Sequence, residues 1–317
     1  MATKSVGLSR TKSFESICKE IHDSWGEKKV LIQVLVGLSH SESREVRETY
    51  MKIYGEDFIE LCQNFDQALS SLSSLMLSPF ERDAVVAREA LYQNDSVNYK
   101  ALIEIFTCRK SSHVLLILQA YLAKYRRPLD LDIASIEPPH PYQKILKALS
   151  ASHKAHPADI SQHIAKCDSR RLYQTGEGNL GAIDEAVVLE IFSKRSISQL
   201  KLTFFSYKHI YGHNYTSFLK NEELGEFGGA VRVVAKCICS PAGYYAKTLY
   251  GCLKGRTTDK GTMERIMVSR ADVDMDEIQR DFKKKYGEEL RNAICDSIPE
   301  GNYRDFLVAL VTKISTC

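Results

Sequence analysis

Hydrophobic residues recur at spacings of three and four along most of the chain, with polar residues between them. This spacing places the apolar side chains on one face of a helix, so it predicts a series of amphipathic helices. Ala271–Gly287 predicts a turn with aspartate caps and then a helix that ends at Gly287. Pro299–Lys313 predicts a further helix, with acidic residues near its start and Lys313 near its end. The pattern indicates an all-α protein without a sheet.

The same pattern occurs four times in a common register. Four tyrosines, the marker tyrosines, stand 71, 86 and 75 residues apart, at Tyr54, Tyr125, Tyr211 and Tyr286. Sixteen residues before them stand Leu38, Arg109, Arg195 and Arg270. Apolar pairs precede those positions by four and three residues, at Val34/Leu35, Ile105/Phe106, Ile191/Phe192 and Ile266/Met267. Four copies in one register predict an internal repeat, with four or five short helices in each unit.

This register divides the chain into an N-terminal arm and four repeats. The arm covers residues 1–12, repeat I 13–80, repeat II 81–152, repeat III with a preceding linker 153–238, and repeat IV 239–317. The longest connection lies at about residues 150–180 and contains the polar stretch ASHKAHPADIS. Its composition predicts a linker with some helix.

Composition narrows the class of protein. With 317 residues, of which 44% are hydrophobic, the chain can bury a large core. Its net charge of +3 is too small to indicate nucleic-acid binding. No apolar run reaches the roughly 18 residues of a transmembrane helix, and the first residues lack the apolar core of a signal peptide, so we expect a cytoplasmic protein. The nine cysteines include no C-x-x-C pair, which argues against structural zinc.

The stretch GCLKGRTTDKGTMERIMVSR (Gly251–Arg270) invites comparison with a phosphate-binding loop. That loop needs the pattern G-x-x-x-x-G-K-[ST]. Gly251 and Gly255 are too close together, and Arg256 stands where lysine should be. A nucleotide site is therefore disfavoured. Thr258 or Asp259 can instead cap a helix that runs through Met267.

Several segments resemble the annexin family, over nearly the whole chain. They are KGRTTD (Lys254–Asp259), PFERDA (Pro79–Ala84), MVSRADVDM (Met267–Met275) and GNYRDFLVAL (Gly301–Leu310). Two more, DSWGE (Asp23–Glu27) and CICSP (Cys237–Pro241), look like plant annexins. The resemblance implies an all-α fold of four annexin-like repeats in a slightly curved disc. It also implies calcium loops of the form M-K-G-x-G-T-D. An enzyme is not expected, because the phosphate-loop pattern is incomplete and His40 is out of register for a catalytic histidine.

The calcium chemistry of such a loop is simple. Calcium is a hard cation that takes six to eight oxygen ligands. A tight glycine turn can aim successive carbonyls at one point, and the family closes the shell with a carboxylate 39 residues after the loop threonine. The ion keeps open positions for water or a lipid phosphate. An ordinary interhelical turn is the structural alternative for each of these loops.

In repeat IV the family register places the loop threonine at Thr258 and the carboxylate position at Ser297. Asp296, next to Ser297, can supply the carboxylate. The carbonyl donors would be Leu253, Gly255 and Thr257. Thr257 stands where the family has its second glycine, and a β-branched residue resists positive φ.

In repeat III the threonine position falls on Ile183, and the carboxylate position falls on Glu222. Gly178, Leu180 and Ala182 would supply the carbonyls. The glycines of the stretch TGEGNLGAIDE are present but shifted by one residue.

The first two repeats have weaker loops. Repeat I has Gly26 at the threonine position and Phe65 at the carboxylate position, with Asp66 adjacent. Repeat II has Val97 and Ile136, and no glycine loop, so we expect it to bind no calcium. The resemblance therefore implies a degenerate annexin with at most two good sites.

Other residues of interest have structural alternatives. The resemblance implies that Arg109, Arg195 and Arg270 pair with acids, Asp83 among them, around a central polar channel. Structural ion pairing is favoured here over ion conduction. Some plant annexins are credited with peroxidase activity through a first-repeat histidine, but that position falls on Gly37, and His40 is expected to be a loop histidine. Cys108 and Cys239 fall where plant annexins carry neighbouring cysteines, as a redox pair or as buried thiols.

We therefore predict Ca²⁺-dependent, peripheral binding of anionic phospholipid membranes. The alternative is a calcium-independent helical scaffold, with actin or another protein as its partner. Thr257 and Ser297 favour this alternative, whereas Glu222 and Asp296 favour calcium. No nucleic acid is expected as a partner.

Overall fold

The computed structural model describes residues 13–63, 67–92, 96–152, 160–179, 182–255 and 259–313. Across these ranges the secondary structure is helical, with twenty α-helices and no strand. Repeats I and II contain α1 Phe14–Asp23, α2 Lys28–Gly37, α3 His40–Tyr54, α4 Phe58–Gln63, α5 Gln67–Met76, α6 Pro79–Tyr92, α7 Tyr99–Thr107, α8 Ser111–Tyr125, α9 Leu129–Ala134 and α10 Pro141–Ser152.

The second half repeats this order. It contains α11 Gln162–Gln174, α12 Glu185–Lys194, α13 Ile197–Tyr211, α14 Tyr215–Phe218, a 3₁₀ helix Glu222–Leu224, α15 Gly225–Cys239, α16 Pro241–Lys254, α17 Lys260–Arg270, α18 Met275–Tyr286, α19 Leu290–Ser297 and α20 Asn302–Thr312. The predicted all-α fold is thus confirmed. The linker prediction falls partly on residues 153–159, outside the described residues, and α11 follows them.

Each marker tyrosine is the last residue of the third helix of its repeat. The residue after it adopts the left-handed conformation, with φ of 71° at Gly55, 57° at Arg126, 79° at Gly212 and 76° at Gly287. A left-handed residue turns the chain and satisfies carbonyls that the helix leaves free. The sequence repeat is therefore a repeat of helix ends as well as of apolar stripes.

Polar side chains begin the second helix of the later repeats. Asn98, Asp184 and Asp259 each accept a hydrogen bond from the backbone N–H three residues further on, at 3.2, 3.1 and 3.0 Å. Such an N-cap satisfies one of the donors that a helix start leaves unpaired. The loop that precedes each of these helices therefore ends at a fixed point.

The chain forms two compact units, Met1–Pro79 with Thr248–Cys317 and Phe80–Lys247. In the first, α2 packs against α20 and α1 against α3, over wholly buried side chains such as Leu31 and Phe306. In the second, α11 packs against α13 and α10 against α12, with Phe106 and Phe192 wholly buried. The repeat boundaries drawn from the sequence stay predictions.

Candidate metal centre

The loop of repeat III joins α11 to α12 and comprises residues 175–184. Backbone hydrogen bonds fold it on itself, since Gly178 N–H donates to Tyr173 O at 2.8 Å and Asp184 N–H donates to Thr175 O at 2.9 Å. No described residue donates a backbone hydrogen bond to the carbonyl oxygen of Gly178 or Ala182. Carbonyl oxygens are the ligands that calcium takes, so both predicted donors are of a type that suits this ion. Leu180 lies outside the described residues.

Glycine is required on this loop for steric reasons. A Cβ at Gly178 would lie 2.8 Å from Cε1 of Tyr173, and one at Gly176 would lie 2.7 Å from the carbonyl oxygen of Leu172. The glycines of this loop thus allow the chain to pass closely over the end of α11.

The segment that carries Glu222 flanks this loop. On one side of it, the ring of Phe218 lies 3.3 Å from the Cβ position of Gly176. On the other side, Cδ1 of Ile183 lies 3.4 Å from the Cβ position of Gly228. Glu222 begins the 3₁₀ helix between these two contacts. The fold therefore places the Glu222 segment next to the repeat III loop, as the family register predicted.

The repeat IV loop has a different geometry. Leu253 is a buried residue in the last turn of α16, and Gly255 follows the helix directly. A helix C-terminus carries free carbonyls and a partial negative charge, which favours a cation. Asp296 is exposed in the last turn of α19. Thr257 lies outside the described residues.

Contacts on both sides of Asp296 in the chain link its segment to this loop. Nζ of Lys254 lies 3.8 Å from Oε1 of Glu288, just before α19. The hydroxyl of Tyr303, on α20, donates to the carbonyl oxygen of Lys260 at 3.2 Å.

Gly251 lies inside α16 and not in a loop. This placement gives further ground against a phosphate-binding loop.

Repeats I and II differ from this arrangement. The repeat I connection is only four residues long, 24–27, and Trp25 Nε1–H donates to the hydroxyl of Tyr50 at 3.1 Å. Its predicted carboxylate position, Phe65 and Asp66, lies outside the described residues. In repeat II, Val97 and Ile136 both pack against the core. The chemistry of repeat II at these positions is apolar.

The side chains that hold the repeat III loop were not predicted from the sequence. Glu177 Oε2 accepts hydrogen bonds from the hydroxyl of Tyr207 at 2.7 Å and from Nε2 of His213 at 2.8 Å. The hydrogen bond to Glu177 raises the pKa of His213. Burial alone would raise the pKa of Glu177, but the hydrogen bonds from Tyr207 and His213 outweigh it and lower that pKa. The fixed position of Tyr207, four residues before a marker tyrosine, could have identified this residue as structurally important from the sequence.

The three arginines of the register form ion pairs. Nε of Arg109 lies 2.7 Å from Oδ2 of Asp83, as predicted, and Nε of Arg195 lies 2.7 Å from Oδ2 of Asp168. Arg270 pairs with Asp274, with Nη2 and Oδ2 2.6 Å apart. The pairs of Arg109 and Arg195 reach back to Asp83 on α6 and Asp168 on α11, whereas the Arg270–Asp274 pair spans the short turn between α17 and α18.

Two predictions about single residues were wrong. His40 is the first residue of α3 and not a loop residue, and its Nε2 lies 3.4 Å from Oδ2 of Asp272. Cys239 is exposed. The neighbour of Cys108 is Cys237 instead, whose carbonyl oxygen lies 3.8 Å from the Cys108 sulfur. The helix α15 turns the residue two positions earlier towards α7.

Within the described ranges, no group of three or more His, Cys, Asp or Glu side chains is arranged to hold a metal. A site built mainly from carbonyls does not require such a group. None of the helices in that part of the chain combines the length and apolarity needed to cross a membrane.

Comparison with known proteins decides the family. The family model "Annexin" matches residues 244–310. Annexin A3 of Mus musculus is 31% identical over 309 residues, which cover 96% of this chain and 94% of annexin A3. The chain belongs to the annexin family. The expected annexin fold is confirmed by the solved structure of annexin III, which is 29% identical and covers 96% of both chains with a TM-score of 0.86.

A more distant annexin has the same fold. The solved structure of calcium-bound annexin (Sm)1 is 22% identical and aligns with a TM-score of 0.77, over 95% of this chain and 91% of that one. The expectation that this annexin is not an enzyme is confirmed by its family. The narrower resemblance to plant annexins is not supported by these relatives, and it stays a prediction from Asp23–Glu27 and Cys237–Pro241.

Proposed function

We propose that this annexin binds anionic phospholipid membranes peripherally and that Ca²⁺ bridges its loops to the lipid phosphates. Membership of the family implies calcium-dependent phospholipid binding, and a relative has been solved with calcium bound. The observation that carries the proposal is the repeat III loop. Its carbonyls at Gly178 and Ala182 receive no backbone hydrogen bond from described residues, and the Glu222 segment flanks it.

In repeat III, Gly178, Leu180, Ala182 and Glu222 would hold the ion. The bound ion would supply a positive charge that both the loop and a lipid phosphate can share. Without the ion, the carbonyl oxygens and the carboxylate would repel the lipid phosphate. Membrane attachment would therefore follow the calcium concentration.

In repeat IV, Leu253, Gly255, Thr257 and Asp296 would form a weaker site. Thr257 resists the backbone angles that glycine adopts freely. Thr257→Gly should therefore tighten calcium binding while Asp296 is still required. Repeats I and II would contribute no calcium, so the protein would rely on at most two sites.

Vesicle co-sedimentation tests the proposal. The parent, Glu222→Gln and Glu223→Gln proteins are sedimented with phosphatidylserine vesicles in calcium and in chelator. Glu222→Gln removes a charge and keeps the shape, so it should raise the calcium concentration needed for half-maximal binding by about tenfold. Glu223→Gln removes the same charge one residue further on and should leave that concentration unchanged.

The alternative function is distinguishable in the same experiment. Vesicle binding that is equal in calcium and in chelator, with no calcium heat in calorimetry, would overturn the proposal. A calcium-independent scaffold, with actin or another protein as its partner, would then be favoured. Equal behaviour of the Glu222 and Glu223 variants would contradict only the assignment of Glu222.

A further inference from the structure

Three side chains tie the repeat III loop to the third helix of the same repeat. Glu177 lies on the loop, Tyr207 lies on α13, and His213 follows the left-handed Gly212 that ends α13. Glu177 Oε2 accepts from both Tyr207 and His213, at 2.7 and 2.8 Å. We infer that these three side chains, the loop latch, hold the loop in its binding conformation before a cation arrives. This inference rests on the proposed function of the loop.

The imidazole of His213 connects Glu177 to the backbone at the end of α13. Its Nδ1 lies 2.9 Å from the carbonyl oxygen of Tyr211, and its Nε2 lies 2.8 Å from Glu177. Both neighbours are acceptors, so the protonated ring, which donates from both nitrogens, satisfies both. In its protonated form His213 holds Glu177 against the helix end and offsets its negative charge. Glu177 acts in this arrangement as an anchor of the loop and not as one of the predicted ligands.

Packing of aromatic rings between α11 and α13 supports the same loop. Tyr173, at the end of α11, stacks on the marker Tyr211 with ring centroids 4.0 Å apart and planes 8° apart. The Cβ position of Gly178 lies 2.8 Å from Cε1 of the same Tyr173 ring, and the Gly178 N–H donates to the Tyr173 carbonyl at 2.8 Å. The carbonyl of Gly178 is therefore positioned by residues that are themselves fixed by α13. Tyr207 is wholly buried, so its hydroxyl is a fixed point.

The internal repeat provides a comparison for the role of Tyr207. The residue four positions before each marker tyrosine is wholly buried in every repeat, as Tyr50, Tyr121, Tyr207 and Phe282. The hydroxyl of Tyr121 donates to Asp132 on α9, a helix residue, whereas that of Tyr207 donates to a loop residue. One buried position thus fastens helices in repeat II and a candidate binding loop in repeat III.

A loop that is already ordered loses less conformational entropy when it binds an ion. Groups that orient metal ligands without touching the metal commonly change its affinity about 10- to 100-fold. Loss of the Tyr207 hydroxyl should therefore weaken calcium binding at repeat III by about tenfold. Glu177, Tyr207 and His213 are positioning residues in this scheme.

The test uses the full chain and compares Tyr207→Phe with Tyr121→Phe. Both variants remove one buried hydroxyl at the same place in the repeat. Amide hydrogen exchange in chelator measures order in residues 176–184 without calcium, and calorimetry with calcium alone measures affinity. Tyr207→Phe should speed exchange in the loop and lower affinity about tenfold. Tyr121→Phe should leave both loop exchange and calcium affinity at the parent values.

A double variant tests whether Tyr207 acts through Glu177. Glu177→Ala should weaken calcium binding at least as much as Tyr207→Phe. Adding Tyr207→Phe to Glu177→Ala should then produce no further loss, because residues that act through one contact are not additive. Additive losses would overturn the latch, as would a Tyr207→Phe protein with the loop exchange and calcium affinity of the parent.

Failure of the proposed function has a different signature. If the parent shows no calcium heat and no calcium-dependent vesicle binding, repeat III is not a calcium site and the proposed function fails. The exchange measurement in chelator then decides the latch alone. Faster loop exchange in Tyr207→Phe, but not in Tyr121→Phe, would still support a latch that orders the loop, and equal exchange would overturn it.

Discussion

Repeats II and III place the same buried tyrosine four residues before the marker and use it differently. In repeat II, Tyr121 donates at 2.5 Å to Asp132, whose side chain is wholly buried. Asp132 also pairs with Arg88, at 3.2 Å, and with Arg127. This cluster joins α6, α8 and α9. We therefore expect its hydrogen bonds and ion pairs to stabilise the packing of these helices.

In repeat III the corresponding tyrosine, Tyr207, reaches a carboxylate that is 33% exposed on a loop. The partner of this carboxylate is a histidine instead of two arginines. The same position of the repeat, four residues before the marker tyrosine, can therefore anchor either a buried helix residue or a loop residue. Repeat II lacks a glycine loop and has the buried cluster, whereas repeat III has both the loop and the latch.

Asp132→Asn should produce the largest stability loss among the changes that test this contrast. Asparagine keeps the shape but leaves Arg88 and Arg127 without a counter-charge. Breaking a buried pair costs several kcal/mol, and the arginines here are 38% and 53% exposed, so we expect a loss of about 2 to 3 kcal/mol. Urea unfolding measures it.

The matched control is Glu177→Gln, whose partner His213 has a side chain that is 38% exposed. It should cost less than about 1 kcal/mol, because exposed pairs contribute little, while it weakens calcium binding. If both variants lose equal stability, the division between a structural repeat and a binding repeat is wrong.

Gly178→Ala tests the steric part of the contrast. The new methyl group would meet the Tyr173 ring at 2.8 Å and the Tyr173 carbonyl oxygen at 3.0 Å. Crowding of this kind costs about 1 to 2 kcal/mol, and it should displace the loop and weaken calcium binding. Gly229→Ala, where nothing lies within 4 Å, is the control. That change sits inside α15 and should stabilise by about 0.5 to 1 kcal/mol, as thermal unfolding can measure.

The helix ends of the two repeats offer a smaller test. Arg126 ends α8 with φ of 57°, and Gly212 ends α13 with φ of 79°. A left-handed conformation costs a non-glycine residue about 1 kcal/mol, partly offset by the greater freedom of glycine in the unfolded chain. Arg126→Gly should therefore stabilise by about 0.5 kcal/mol and Gly212→Ala should destabilise by about 1 kcal/mol. A loss of stability in Arg126→Gly would contradict this account of the helix end.

Periodicity and register were sufficient to predict the helices, because apolar spacing and caps are local properties of the chain. The pairing of Arg109 with Asp83 was predicted from the resemblance to annexins, in which Asp83 belongs to the R-D-A motif and Arg109 to the repeated register. The exposure of Cys239 was not predictable, because the facing of a residue near a helix end depends on tertiary packing. His40 was placed wrongly for a similar reason. The apolar pattern around it is too short to show whether the residue begins a helix or lies in a loop.

The candidate sites were predictable only as chain segments. Counting from the marker tyrosines placed Glu222 beside the repeat III loop, and the contacts of Phe218 and Ile183 agree with that neighbourhood. The latch was not predicted because Glu177 and His213 are 36 residues apart in the sequence and nothing in the pattern pairs them. Only the fold brings a loop carboxylate to the end of α13.

The pH dependence of stability should give the smallest effect, and we expect it from the repeat III latch but not from the repeat II cluster. His213 faces Glu177 at 2.8 Å and the ring of Tyr207, with centroids 5.9 Å apart. Its pKa is raised above the ordinary 6.5, first by the hydrogen bond to Glu177. A raised folded pKa means that the folded state binds the proton more tightly than the unfolded state.

The stabilisation from His213 is therefore complete below pH 6.5 and is lost as the pH rises through the folded pKa. The repeat II cluster has no histidine, and its two cations, Arg88 and Arg127, are arginines. Unfolding midpoints of the parent and His213→Gln, measured from pH 5 to pH 9, should differ most at low pH and converge at high pH. The same comparison for Asp132→Asn should stay constant from pH 6 to pH 9. A His213→Gln difference that grows with rising pH would have the wrong sign for the pair with Glu177, and it would contradict the role of His213 in the latch.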